Sequence, residues 1–493
     1  MAINSVHPAY SQYKDNWELL HDFYEGEQHV KSLEDKYLLP TPGMLLDGMG
    51  TNQVGRNAYD NYLARAVFPD YIKDAVEIAI GLLHSKPPVI NLPPELESLR
   101  LKSSNKKEPL VDLLRRINVE QLTSGRVGLM LDVDVKSALP YFALYKTENA
   151  INWDESGDFS DTDELNLVVL DETSLLRTSD FDWKINPKHR VLQLLDGVYY
   201  QGVFEDNDYD DTALIAPAIR GRINNEIPFV FINSKDLLPQ PDNPPLLGLA
   251  NTTHAIYRGE ADYRQSLFMQ SQDTLVVIGS VRNPNIDPTG TDAIRTGAGS
   301  RIDLDVTGDA KYIGVSSKGL PEQRTCLTND RLLADTKSGR FIGNQANVES
   351  GRSLSVRLGA QTATLNQIAI TGAAGLERLL KNAAVWVGAD PELVKVIPNM
   401  DFTKVEFQGQ ELVNVMTARG MGAPLSLESI HNTLVDRGMT TLDYEAEIAK
   451  IAEENMKMNI PEPNAGNTVP KQPNQMPTGT KMPLKTESQN TPQ

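Results

Sequence analysis

PEQRTCLTNDRLLADTKSGRFIGNQANVESGRSLSVRLG (Pro321–Gly359) is the stretch on which the fold turns. Pro321 suits the first turn of a helix, where its missing N–H would have no partner anyway. That helix is expected to run to about Lys337, with Gly339 as its stop signal. Gly339–Gly351 is polar and punctuated by glycine. From Ser353 to Val387, Leu354, Leu358, Leu365, Ile368, Leu376, Leu379 and Leu380 recur at helical spacing, so a long apolar helix follows. Upstream, a Pro-rich entry opens a helix over Pro244–Gln272, with Leu249, Ile256, Tyr263 and Leu267 on one stripe. Its length would be about 40 Å at a rise of about 1.5 Å per residue. Between the two helices the sequence predicts a small β-rich module: strands over Leu275–Ile278, Ile302–Leu304 and Tyr312–Val315, with a loop over Asn283–Gly299. Two helices bracketing an insertion make a stalk with a tip.

The first 90 or so residues read as helical. Trp17, Leu20, Phe23 and Tyr24 share a helix face, and Ile72, Val76, Ile78 and Ile80 mark a buried helix over Tyr71–Leu83. Pro87–Pro94 (PPVINLPP) excludes helix, because proline lacks the amide donor and forces its predecessor into extended geometry. Leu110–Leu122 is amphipathic and ends near Gly125. From Val127 the period changes to two, giving strands over Val127–Val135, Tyr141–Tyr145, Leu165–Leu170, Val191–Leu195, Val198–Phe204 and Pro228–Ile232. The acidic stretches Asp154–Glu164 and Glu205–Asp211 read as solvated loops. Strands are expected again at Val394–Ile397 and Val405–Phe407, then helices at Glu411–Arg419, Leu427–Arg437 and Tyr444–Met458. Beyond Asn459 the Pro/Asn/Gln/Thr/Lys-rich sequence reads as a disordered tail. The class is α+β.

The chain has 493 residues, 40% of them hydrophobic, with 47 Lys+Arg against 66 Asp+Glu and a net charge of −19. That balance argues against gripping nucleic acid over the whole surface, since such binding needs Lys and Arg to neutralise phosphates. A single cysteine, Cys326, allows no internal disulfide and reads as a small packing residue in a helix. The start, MAINSVHPAY, lacks the pattern of a signal peptide, and no apolar run reaches the ~20 residues that span a bilayer.

Sites for chemistry are scarce. There is no Walker A sequence, GxSxG elbow or HExxH, and Gly48–Gly55 has the wrong spacing for a dinucleotide fingerprint. The seven histidines never adopt ligand spacing, so neither a metal nor a cofactor is expected; His21 and His29 read as solvated helix residues. Asp132 and Asp134 are the best catalytic candidates. Strand alternation puts both carboxylates on one face, where they could hold a divalent cation, as in a metal-dependent nuclease; the plainer reading is a polar strand face.

The order of segments resembles the portal (head–tail connector) proteins of tailed bacteriophages. The resemblance is carried by Phe23–Pro40 (FYEGEQHVKSLEDKYLLP), Asn61–Leu96, Glu120–Val133 (EQLTSGRVGLMLDV), Ile227–Ser234 (IPFVFINS) and Val348–Gly359 (VESGRSLSVRLG). It implies a wing at 1–243, stem helices at 244–272 and 319–339, a clip at 273–318, a tunnel loop at 340–354, a long helix with returning wing strands at 355–410, and a short helical crown at 411–458, with the tail at 459–493.

The function implied is non-enzymatic: a homo-oligomeric ring of about twelve copies at one capsid vertex, passing double-stranded DNA during packaging and ejection without sequence preference. The partners implied are the terminase large subunit, a head-completion or adaptor protein, the major capsid protein and a scaffold protein, with no membrane. The location implied is the virion, after assembly in the host cytoplasm. Arg340, Asn344, Gln345, Asn347, Arg352 and Arg357 would face DNA at the tunnel loop, and Lys318, Arg324, Arg331 and Lys337 would line the stem. An acidic body with a few basic rings suits a channel that must release every phosphate it touches. Pairing of Arg352 or Arg357 with Glu349 is the plainer alternative for those two. A capsid adaptor without a channel is the remaining alternative for the whole chain.

Overall fold

The computed structural model of the chain describes residues 3–104, 107–134, 139–155, 165–205, 209–219, 221–270, 274–280, 304–313, 319–338, 351–400, 402, 409–436 and 440–457. The chain divides into two compact units, Met1–Thr403 and Lys404–Gln493.

In the first unit, α1 (Pro8–Glu25), α2 (Glu27–Ser32), α3 (Pro42–Leu46), α4 (Val54–Arg65) and α5 (Tyr71–Leu83) form a helical layer. Pro8 begins α1, and the His7 ring accepts the Ala9 amide proton as its cap. Phe23 sits edge-on to Tyr37 and Phe68 with ring centroids 5.1 and 4.8 Å apart, so this layer is locked by aromatic geometry as well as by area. Proline-rich residues then give the short β1 (Val89–Asn91) and a 3₁₀ turn at Pro94–Arg100.

The helix α6 (Leu110–Thr123) turns at Gly125, whose φ of +76° is open to glycine at little cost. It leads into β2 (Arg126–Asp134), which pairs on one side with β3 (Leu139–Lys146) and on the other with β12 (Phe229–Asn233), both antiparallel. A second sheet has the order β4-β5-β8-β9, from Ala150–Glu155, Leu165–Asp171, Lys188–Leu195 and Val198–Glu205. Trp17 of α1 and Trp153 of β4 are buried in the core that joins this sheet to β12. The guanidinium of Arg126, 1% exposed, lies 3.5 Å from the Phe231 ring centroid and 4.4 Å from that of Trp153, and donates to the Pro239 carbonyl at 2.6 Å. Stacking on rings offsets part of the cost of burying a charge.

The small strands β6 (Ser174–Arg177) and β7 (Trp183–Asn186) form a hairpin that continues the β5–β8 pairing in register, and β10 (Ala218–Ile219) pairs with β11 (Arg222–Ile223). Periodicity missed both hairpins and β4, because two to six residues give too short a window to reveal a period.

After β12 the chain runs through α7 (Leu247–Gln270), β13 (Thr274–Ser280), β14 (Leu304–Ile313) and α8 (Leu320–Ser338). The structure corrects one expectation here: residues 304–313 form one strand, not the ends of two. The polar side chains of that stretch do not interrupt it, because the backbone ladder to β13 carries the pairing past a register shift between Ile278 and Ser280. The expected strand Val405–Phe407 and the tail from Asn459 lie outside the described residues.

The long helix α9 (Gly351–Val387) packs on α6 and on the β12-β2-β3 sheet, and β15 (Lys395–Ile397) returns to pair with β1. Close approach is made possible by two glycines. A Cβ at Gly375 would lie 2.5 Å from Ile232 Cδ1, and one at Gly372 would lie 2.5 Å from Asn118 Nδ2. The second unit contains α10 (Gly409–Gly420), α11 (Leu427–Asp436) and α12 (Tyr444–Lys457), with His431 edge-on to Tyr444 at 5.5 Å.

His21 departs from the solvated reading. It is 13% exposed, with Nε2 2.9 Å from Glu120 of α6 and Nδ1 bonded to Glu148 in the 3₁₀ turn before β4. Burial alone would push the imidazole pKa down; the hydrogen bonds to Glu120 and Glu148 override it and raise the pKa from 6.5 to about 9. Two carboxylates brought in from distant parts of the chain are invisible to a local reading.

Two outcomes are expected. Gly375→Val should lower the stability of the first unit by roughly 1–3 kcal/mol through overpacking against Ile232, measured by urea unfolding, whereas Gly81→Ala, with nothing within 4 Å of the new Cβ, should be neutral or stabilising. Because the folded-state pKa of His21 is raised, its contribution is complete below about pH 6.5 and is lost as pH rises through about 9. His21→Gln should therefore remove a stability loss of at most about 3 kcal/mol that the parent shows across that window.

Candidate functional site

The α7–α8 pair is built as an antiparallel hairpin. A Cβ at Gly259 would lie 3.0 Å from Leu327 Cδ2, so the absence of a side chain there lets α8 come close. Glu260, 8% exposed, accepts from Arg331 Nη2 of α8 at 2.7 Å and from Arg264 Nε of its own helix at 2.6 Å. Near the other end, Lys337 Nζ donates to the Gly248 carbonyl at 2.8 Å and to Thr252 Oγ1 at 2.7 Å. The strands β13 and β14 pair antiparallel with each other, with Thr274 opposite Ile313.

One side of α7 is anchored in the helical layer. The Tyr62 hydroxyl donates to Asp262 at 2.6 Å, and Arg65 donates to Gln265 at 2.5 Å while lying 4.1 Å from the Phe268 ring centroid. Of the expected stripe on α7, Leu249 and Ile256 are buried, but Leu267 is exposed together with Phe268 and Met269. On α8 only Leu327, Ala334 and Ser338 are buried. Leu332, at 59% exposure, and Leu333 face solvent. Cys326 is exposed as well, which corrects its reading as a packing residue.

The basic residues named from sequence separate. Arg331 and Lys337 are spent on holding α8 to α7. Arg324 is exposed. Arg352 and Arg357 fall in the first turns of α9, of which only the backbone is described, and Lys318, Arg340, Asn344, Gln345 and Asn347 lie outside the described residues. Sequence reasoning missed Glu260. Its signal was available: it falls four residues after Ile256 on the buried face of α7, and a carboxylate there needs a cation from the facing helix.

At the other candidate, Asp132 is 8% exposed and its carboxylate accepts from Tyr141 at 3.0 Å, Arg190 at 3.2 Å, Gln201 at 3.1 Å and the Val133 amide at 2.8 Å. The Asp132 pair ties β8 to β2, and Arg190 also pairs with Glu172, just after β5, at 2.7 Å. Burial would pull the arginine pKa down, but Glu172, Tyr145 and Asp132 hold it above its ordinary value. This carboxylate cross-links two sheets. Among the described residues no group of three or more His, Cys, Asp or Glu could hold a metal ion, and no helix is long and apolar enough to cross a membrane.

Residues 245–387, beginning just before α7 and ending with α9, match a family described as a domain of unknown function, DUF4055; the match spans less than a third of the chain. No curated protein matches. Among solved structures, the chain is similar to a chain from the neck of a native GTA particle computed with C12 symmetry, at 14% identity over 74% of this chain and 89% of that chain, with a TM-score of 0.39. It is similar also to a chain from the neck of an empty GTA particle computed with C6 symmetry, at 14% identity over 75% and 90%, TM-score 0.39. A third likeness is to a chain from the virion of a native gene transfer agent (GTA) particle, at 14% identity over 80% and 98%, TM-score 0.40. Likenesses at this level assign no function to the chain.

Proposed function

We propose that this chain is a portal protein: a ring of about twelve copies at a capsid vertex, through which double-stranded DNA passes during packaging and ejection. The observation that carries the reading is the α7–α8 hairpin. A helix of 19 residues that buries only three of them, leaves Leu332 and Leu333 in water, and pairs with a helix whose far end exposes Leu267, Phe268 and Met269, is not satisfied by its own chain. Copies set side by side would cover it, and the five sequence segments in portal order support that choice of partner. In a closed ring each subunit presents one face to a different face of the next. The DNA contacts would come from the loop around Arg340–Arg352, and the terminase and head-completion proteins would dock at the ends of the ring. A metal-dependent reaction at Asp132 and Asp134 is the weaker reading, since the Asp132 oxygens are already occupied by protein donors.

Native mass spectrometry and negative-stain images of the purified chain are expected to show rings with a central hole; monomers or solid particles would overturn the reading. Leu332→Asp with Leu333→Asp should cost about 3 kcal/mol per interface, roughly 100-fold in assembly, and leave the subunit folded by circular dichroism. Arg340→Glu with Arg352→Glu should reduce DNA packaging more than ring formation, and the reverse result would remove the loop from the channel.

A further inference from the structure

The β6–β7 hairpin is fully exposed: every residue from Thr173 to Ile185 is exposed. Its register sets Leu175 opposite Ile185 and Arg177 opposite Trp183, so these four side chains share one face. Phe181, 92% exposed, stands at the tip between Asp180 and Asp182. The hairpin extends the β5–β8 ladder outward in the same register, the Glu172 amide donating to the Lys188 carbonyl at 2.8 Å between them, and it shows its apolar face to solvent. Elsewhere on the same unit, α9 and the turn after β11 enclose an open cleft of about 870 Å³. Its walls include Ile370, Ala374, Val385, Val396 and Pro398, with the exposed Arg378 among them.

We propose that the β6–β7 hairpin of one copy docks in the α9 cleft of the next copy. Trp183, Ile185, Leu175 and Phe181 supply apolar volume for the cleft, and the acidic tip meets the exposed Arg378. The two surfaces differ and come from one chain, which is what a head-to-tail ring contact requires. The inference rests on the ring reading and assigns it a specific joint.

The test is disulfide trapping in the full chain with Cys326→Ser, carrying Phe181→Cys together with Ala374→Cys and oxidised with copper phenanthroline. Oligomeric state is measured in parallel by native mass spectrometry. A ladder of covalent oligomers, absent from either single-cysteine variant, is the expected result. Asp180→Arg alone and Arg378→Asp alone should each lower the ladder about tenfold, and the double reversal should restore it. Oligomers that form without the 181–374 bond overturn this joint and leave the ring standing. A bond formed only within one chain also overturns it. Absence of any oligomer overturns both readings.

Discussion

The first unit depends on how close α9 comes to its neighbours. At Gly372 and Gly375 the helix has no side chain, and Asn118 of α6 and Ile232 of β12 fill the space. Around that contact runs a buried polar chain: His84 Nε2 to Asn118 at 2.9 Å, Asn118 to Gln121 at 2.9 Å, and Gln121 to both the Asn233 carbonyl at 2.7 Å and Thr371 at 2.8 Å. Hydrophobic area would hold the helix near the sheet in many registers. Buried amides that must find partners permit few. The same junction fixes β12, whose C-terminal Asn233 places its Nδ2, with two hydrogens to donate, 2.8 Å from oxygens of Asp236, Leu238 and Gln240 and so shapes the path into α7.

Charge is used in two different ways. Buried acidic groups, Asp132 and Glu260, are each matched by an arginine from another element, and each acts as a cross-link between layers. The chain as a whole carries a net charge of −19. That surplus disfavours binding a polyanion over the whole surface.

Long periodic elements were legible from sequence. The reading of Tyr71–Leu83 agrees with α5 at both ends, and Leu110, Pro321 and Val387 fall within a residue of helix ends in the structure. In these segments an apolar stripe meets one core, so a local signal decides. The reading weakened where partners come from afar. His21 needed Glu120 and Glu148, about a hundred residues on, to become a buried cation. Of the stem residues named as channel-lining, Arg331 and Lys337 bond to α7, a distinction that composition cannot supply because either role asks for a long basic side chain.

The antiparallel pairing of α7 with α8 has a mechanical consequence. A load applied where α7 ends and α8 begins reaches both helices together and runs along both axes. It is resisted in shear by the Glu260–Arg331 and Lys337–Thr252 bonds and by the Tyr62 and Arg65 anchors acting in parallel, instead of peeling them open one after another.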